Sequence, residues 1–103
     1  MVLSQHQAAA VLTARVREAR ALALGADAPV VFAIGGDGRS YAATGGAVTR
    51  TPSGVILAAA PARTIAFYGD GSSSGGVIRI RAGSRAMSVI ITRAGGAVAL
   101  SSQ

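Results

Sequence analysis

Ile65-Ala66-Phe67-Tyr68-Gly69-Asp70-Gly71-Ser72-Ser73-Ser74-Gly75-Gly76-Val77-Ile78-Arg79-Ile80 places a Gly/Ser stretch between two strand-like runs, with no catalytic partner beside it in the chain. β-Branched and aromatic residues suit a pleated, half-buried backbone, while Gly and Ser interrupt it. The stretch therefore reads as a structural connection between strands, expected to be a hairpin. Outward from it, an antiparallel meander is expected: strands at 64–68 and 77–81, another at 85–93, a Gly95-Gly96 turn, and a last strand at 97–101. In the second of these Ile78 and Ile80 share one face and Arg79 and Arg81 the other, so the arginines are expected in solvent.

Upstream, 30–34 is rich in β-branched and aromatic residues, and Gly35-Gly36-Asp37-Gly38 supplies a hairpin turn into 39–43. A weak strand near 47–49 and a firmer one at 55–59 follow, the latter ended by Pro61. Before Gly25 the period changes. Residues 5–24 hold Ala, Leu and Arg with neither Gly nor Pro, and Ser4 with Gln7 forms a capping box, so a helix is expected over that span. At 100° per residue Ala8, Leu12, Val16, Ala19 and Ala23 form one stripe, flanked by Val11 and Leu22, with Arg17, Glu18 and Arg20 off it. Such a helix is long for the domain, and its first turns are expected to project beyond the body. There Ala8, Val11, Leu12 and Arg15 would offer a surface for another helix.

The chain has 103 residues, enough for one domain with one small core. It contains 23 alanines and four aromatics, so the core falls to Val, Ile and Leu around Phe32 and Phe67. Cysteine is absent, which excludes disulfides and thiolate metal sites. His6 is the sole histidine, and Glu18, Asp27, Asp37 and Asp70 are scattered along the chain. No tightly bound metal and no cofactor are expected.

Ser72, Ser73, Ser74 and Ser84 have only His6 as a potential base, so nucleophilic catalysis has no support and the protein is expected not to be an enzyme. A phosphate cradle at 70–76 would need a Lys-Ser/Thr pair opening a helix, whereas here the loop opens a strand and lysine is absent. Ten arginines give a formal charge of +6, spread along the sequence. Arg79, Arg81 and Arg93 together suggest a basic stripe for phosphate backbones, with no aromatic interleaved to stack on bases.

Phe67 followed by Asp70, Gly71, Ser72, Ser73, Ser74, Gly75 and Gly76 and an alternating strand resembles the GspH/FimT family of minor pseudopilins. The pattern Ala19-Arg20-Ala21-Leu22-Ala23 ahead of Val30-Val31-Phe32 resembles the family's helix end. The resemblance implies an α+β pseudopilin fold, with one long N-terminal helix (about 5–24) packed on a β-rich part (about 29–102) of two antiparallel sheets. It also implies a single periplasmic domain of a subunit anchored in the inner membrane, whose hydrophobic first helix half and leader lie outside this sequence, with Met1 foreign to the natural chain. The expected function is non-catalytic: assembly of the type II secretion pseudopilus or its tip, and thereby protein export. Expected partners are other minor and major pseudopilins, with secreted cargo or the outer-membrane secretin beyond them. The 70–76 loop is expected to be a mobile contact with partners. The rival expectation is a FimT-like minor type IV pilin that binds DNA through Arg79, Arg81 and Arg93. Where family members carry a Gly-Arg pair before the last strand, this chain has Gly95-Gly96-Ala97.

Overall fold

Nineteen residues, Gln5–Ala23, form helix α1 in the computed structural model, which describes residues 5–102 and the side chains of 7–101. The Ser4 half of the expected capping box lies outside the described residues. α1 buries Ala9, Leu12, Val16, Ala19 and Ala23, a 3-4-3-4 spacing that keeps one stripe inward. The small methyls of Ala9, Ala19 and Ala23, all at zero exposure, let the helix axis approach the sheets closely. Thr13 is the buried polar member of this face, and its hydroxyl donates to the Ala9 carbonyl at 2.7 Å. The inward position is thus Ala9 rather than Ala8.

Eight strands follow: β1 (Val30–Ile34), β2 (Ser40–Ala43), β3 (Thr49–Arg50), β4 (Val55–Ala60), β5 (Thr64–Phe67), β6 (Gly76–Ala82), β7 (Arg85–Ile91) and β8 (Val98–Ser102). They make two four-stranded antiparallel sheets, ordered β3-β2-β1-β5 and β4-β6-β7-β8. The chain is α+β.

The β1–β2 hairpin and the β6-β7-β8 meander lie where alternation and turn residues put them, although β7 stops at Ile91, before Arg93. One expected pairing is wrong. β5 and β6 are not hairpin partners: β5 pairs with β1, opposing Phe32 to Ile65, and β6 lies between β4 and β7 in the other sheet. Local alternation specifies a strand but not its neighbour, and here the hydrogen-bonding edge of β5 goes to β1, four elements earlier. The 70–76 loop is therefore a crossover between sheets.

Helix and sheets share one core. Phe32, Ile34, Tyr41, Ile65 and Phe67 come from the first sheet, while Val55, Leu57, Ile78, Ile80, Met87, Val89 and Ile91 come from the second. α1 touches β1 and β5 on one side and β6, β7 and β8 on the other. Phe32 and Tyr41 stack at 5.6 Å between ring centroids. Complete burial of Phe32 and of Phe67 contributes roughly 1.5–3 kcal/mol each, a large share of what a small domain has to spare. The β1–β2 turn also ties the sheets together. Leu57 N–H donates to the Gly38 carbonyl at 2.7 Å, and at φ +73° with Leu57 O directly against it only glycine fits position 38.

Candidate protein-docking site

Along one flank of α1, the row Val11, Arg15, Glu18 and Leu22 repeats every three or four residues and so faces one direction. Beside it run two recesses that share Tyr41 and Thr49. The larger, about 410 Å³, is lined by Ala8, Val11 and Leu12 of the helix, Tyr41, the 49–52 segment, and Val55 and Leu57 of β4. The smaller, about 240 Å³, continues toward Ala19, Leu22, Ala43 and Ala47. From Ala8 to Leu22 the groove follows the helix for about 21 Å, at 1.5 Å per residue. Its Ala8 end is mostly apolar and its Leu22 end mixed, and Arg15 pairs with Glu18 at 3.1 Å near its middle. Burial pushes the Tyr41 hydroxyl's pKa up, against a smaller opposite pull from the Arg15 charge.

The groove is bounded by α1 and by β3 and β4, an edge strand of each sheet. β3 is only two residues long, and the Thr51-Pro52-Ser53-Gly54 turn carries the chain across to β4. Thr51 stabilises this turn by donating from its hydroxyl to the Val55 carbonyl at 2.7 Å and from its N–H to Arg39 O at 2.9 Å. Neither Tyr41 nor Pro52 stood out in the sequence as a wall of a site. The only local signal was the Pro/Gly punctuation at 52 and 54.

The four helix residues expected at an interface have different fates. Val11 is 46% exposed, Ala8 is half-buried against the core and Arg15 is exposed. Leu12, at 1% exposure, is a core residue and not a contact residue. The expected projection of the first turns is thereby corrected from Ala8 onward, because the second sheet and the 49–55 segment extend under them.

The crossover loop is also different from expectation. Phe67 is core. Asp70 Oδ1 accepts from the Ser72 N–H at 2.9 Å and the Ser72 hydroxyl at 2.6 Å, which holds its pKa below the usual aspartate value. Gly71 N–H donates to Tyr68 O, and buried Ser73 donates its hydroxyl to Thr92 O at 2.8 Å while accepting from Gly75 N–H at 3.0 Å. Ser74 pairs twice with Ala66: its N–H donates to Ala66 O, and its Oγ accepts from Ala66 N–H. Gly75 and Gly76 take positive φ where the chain bends into β6. This loop is stitched to both sheets. It is a structural seam whose backbone groups are spent inward: Gly71, Ser73 and Gly75 are buried, Ser72, Ser74 and Gly76 half-buried, and Asp70 is exposed.

The arginines separate likewise. Arg79 and Arg81 are exposed on the outer face of β6, but Arg93 donates from Nε to Ser74 O at 3.1 Å and lies over Gly75. It belongs to the seam, so the three do not form one stripe. Arg17 and Arg20, expected off the packing stripe, reach across to the second sheet and its β7–β8 turn: Arg17 donates to Val98 O, and Arg20 to Gly95 O.

Among the described residues no three His, Cys, Asp or Glu side chains are grouped to hold a metal ion, and no helix is long and apolar enough to cross a membrane. Compared with known proteins, the chain matches no family model, no curated protein and no solved structure.

Proposed function

We propose that this chain is a non-catalytic assembly subunit, a minor pseudopilin of type II secretion, whose pseudopilin-fold domain works in the periplasm at the end of a membrane-anchored helix. The single observation that carries the reading is the apolar groove running beside Val11 along α1, a surface suited to the helix of a neighbouring subunit. The motif residues 67–76 and the packing of one helix on two antiparallel sheets agree with what that family has. Its partners are then other minor and major pseudopilins, with cargo and the secretin as more distant ones. No chemical step and no cofactor are assigned to it.

The test is capture of the other pseudopilins of the same secretion system by the chain and by Val11→Asp. Leu12 is unsuitable because its loss damages the core. Val11→Asp is expected to fold and to lose capture, and capture equal to that of the unaltered chain defeats the reading.

One observation favours a second reading, a FimT-like DNA-binding minor pilin. Arg79 and Arg81 project from a sheet whose four strands contain no carboxylate. Binding of a DNA duplex that weakens with salt and vanishes in Arg79→Ala/Arg81→Ala supports it. No mobility shift at low salt ends it.

A further inference from the structure

The outer face of the second sheet, opposite the core, has no layer of the described residues over it. Register places Ala60, Val77 and Ile90 in one row across it, Ala58, Arg79 and Ser88 in the next, and Ile56, Arg81 and Ala86 in the third. Ile56, Val77 and Ile90 are each about 40% exposed, and the short side chains around Arg79 leave a shallow recess of about 350 Å³. A face that is apolar, basic and recessed calls for a partner that is apolar, acidic and protruding.

The chain itself carries such a surface. Glu18 is paired with Arg15, and Asp37 and Asp70 each cap their own turn, Asp37 through Arg39 N–H and Asp70 through the Ser72 N–H and hydroxyl. Asp27 and Asp70, both exposed, are the two carboxylates that adjoining loops bring together. They follow Ala26 and Gly69, whose backbones are in contact, and Gly25 N–H donates to Gly69 O at 3.1 Å. The same two loops expose Leu24 at 50% and Tyr68 at 39%. These carboxylates sit at the C-terminal end of α1, where the helix carbonyls already concentrate negative charge and where a cation from outside is favoured.

We propose that the outer face of the second sheet seats the helix-end loops of a second copy of this chain, with Leu24 and Tyr68 entering the recess and Asp27 and Asp70 meeting Arg79 and Arg81. The two arginines, two residues apart on one strand face, stand roughly 7 Å from each other, a spacing that two carboxylates on touching loops can match. Different surfaces meet, so the contact is heterologous and propagates head to tail instead of closing a two-fold dimer. It involves neither Val11 nor the groove, and stands apart from the assembly reading above.

Sedimentation velocity over a concentration series tests it, with circular dichroism to establish that each variant folds. The unaltered chain is expected to associate with rising concentration. Asp27→Arg/Asp70→Arg and Arg79→Asp/Arg81→Asp are each expected to stay monomeric, and their equimolar mixture to associate again, because every contact then pairs opposite charges. Ala58→Leu, which fills the recess without changing charge, is expected to weaken association about tenfold or more. A monomer at every concentration, a charge-reversed variant that associates like the parent, or a mixture that stays monomeric overturns the proposal. Binding of a DNA duplex by the basic face, with no self-association, overturns it as well.

Discussion

Arg20 donates through both Nε and Nη2 to the carbonyl oxygen of Gly95, at 3.2 and 2.9 Å, and so fastens the last turn of α1 to the short 3-10 turn Ala94–Gly96 between β7 and β8. A planar fork that closes on one oxygen from two nitrogens is a task for arginine, since lysine offers a single ammonium. Arg17, one turn earlier, donates to Val98 O at 3.2 Å. Two arginines that a helical wheel assigns to solvent thus hold the helix along the β8 side of the second sheet.

Replacing Arg20 with Ala is expected to cost about 1 kcal/mol, less than the ~1.5–3 kcal/mol usual for a charged hydrogen bond because the site is partly solvated. Arg20→Lys is expected to recover only part of this. Urea unfolding followed by circular dichroism measures both.

Ser73→Ala is expected to cost about 1–3 kcal/mol, because it strands the buried Gly75 N–H and removes the donor to the part-buried Thr92 O. The same urea experiment on Ser84→Ala, in the exposed β6–β7 turn, is expected to show a change within about 0.5 kcal/mol.

Leu12 and Val11, adjacent in sequence, are expected to separate cleanly. Leu12→Ala is expected to lose about 2–5 kcal/mol of stability through its cavity, whereas Val11→Asp, half in water, is expected to lose little and to act on partner capture instead. Thermal melts paired with capture assays distinguish the two.

Asp70 titrates below the ordinary aspartate value because the Ser72 hydroxyl, then the Ser72 N–H, favour its charged form. A folded-state pKa beneath the unfolded one means that the carboxylate's contribution is present above about pH 3.9, the unfolded value, and is lost as pH falls through the lowered folded value. Ser72→Ala is expected to raise the Asp70 pKa toward the ordinary value. Titration of the side-chain carboxyl carbon by NMR reads this directly, and an unchanged midpoint contradicts it.

Element positions were largely legible. Gly/Pro punctuation and two clear periods place α1 to within a residue at its C-terminal end, and most strands to within one or two residues, because these signals act through the local backbone. Ile78, Ile80, Met87, Val89 and Ile91 all face inward as alternation requires. The candidate site was less legible. Val11 was visible as an apolar residue beside the packing stripe, but Tyr41, Pro52 and Val55 meet it only after two sheets have folded around one helix.

By itself the amino-acid order determined which segments coil, which extend, and which face of each turns away from water, since a rotation per residue and a pleat are properties of neighbouring residues. Tertiary structure alone decided that β5 belongs with β1 and not β6, that the Gly/Ser stretch is a seam between layers, and that Arg17, Arg20 and Arg93 serve as ties. Each of these depends on which distant donors, acceptors and apolar faces remain unsatisfied once local structure has formed, and that competition is settled only when the whole core closes.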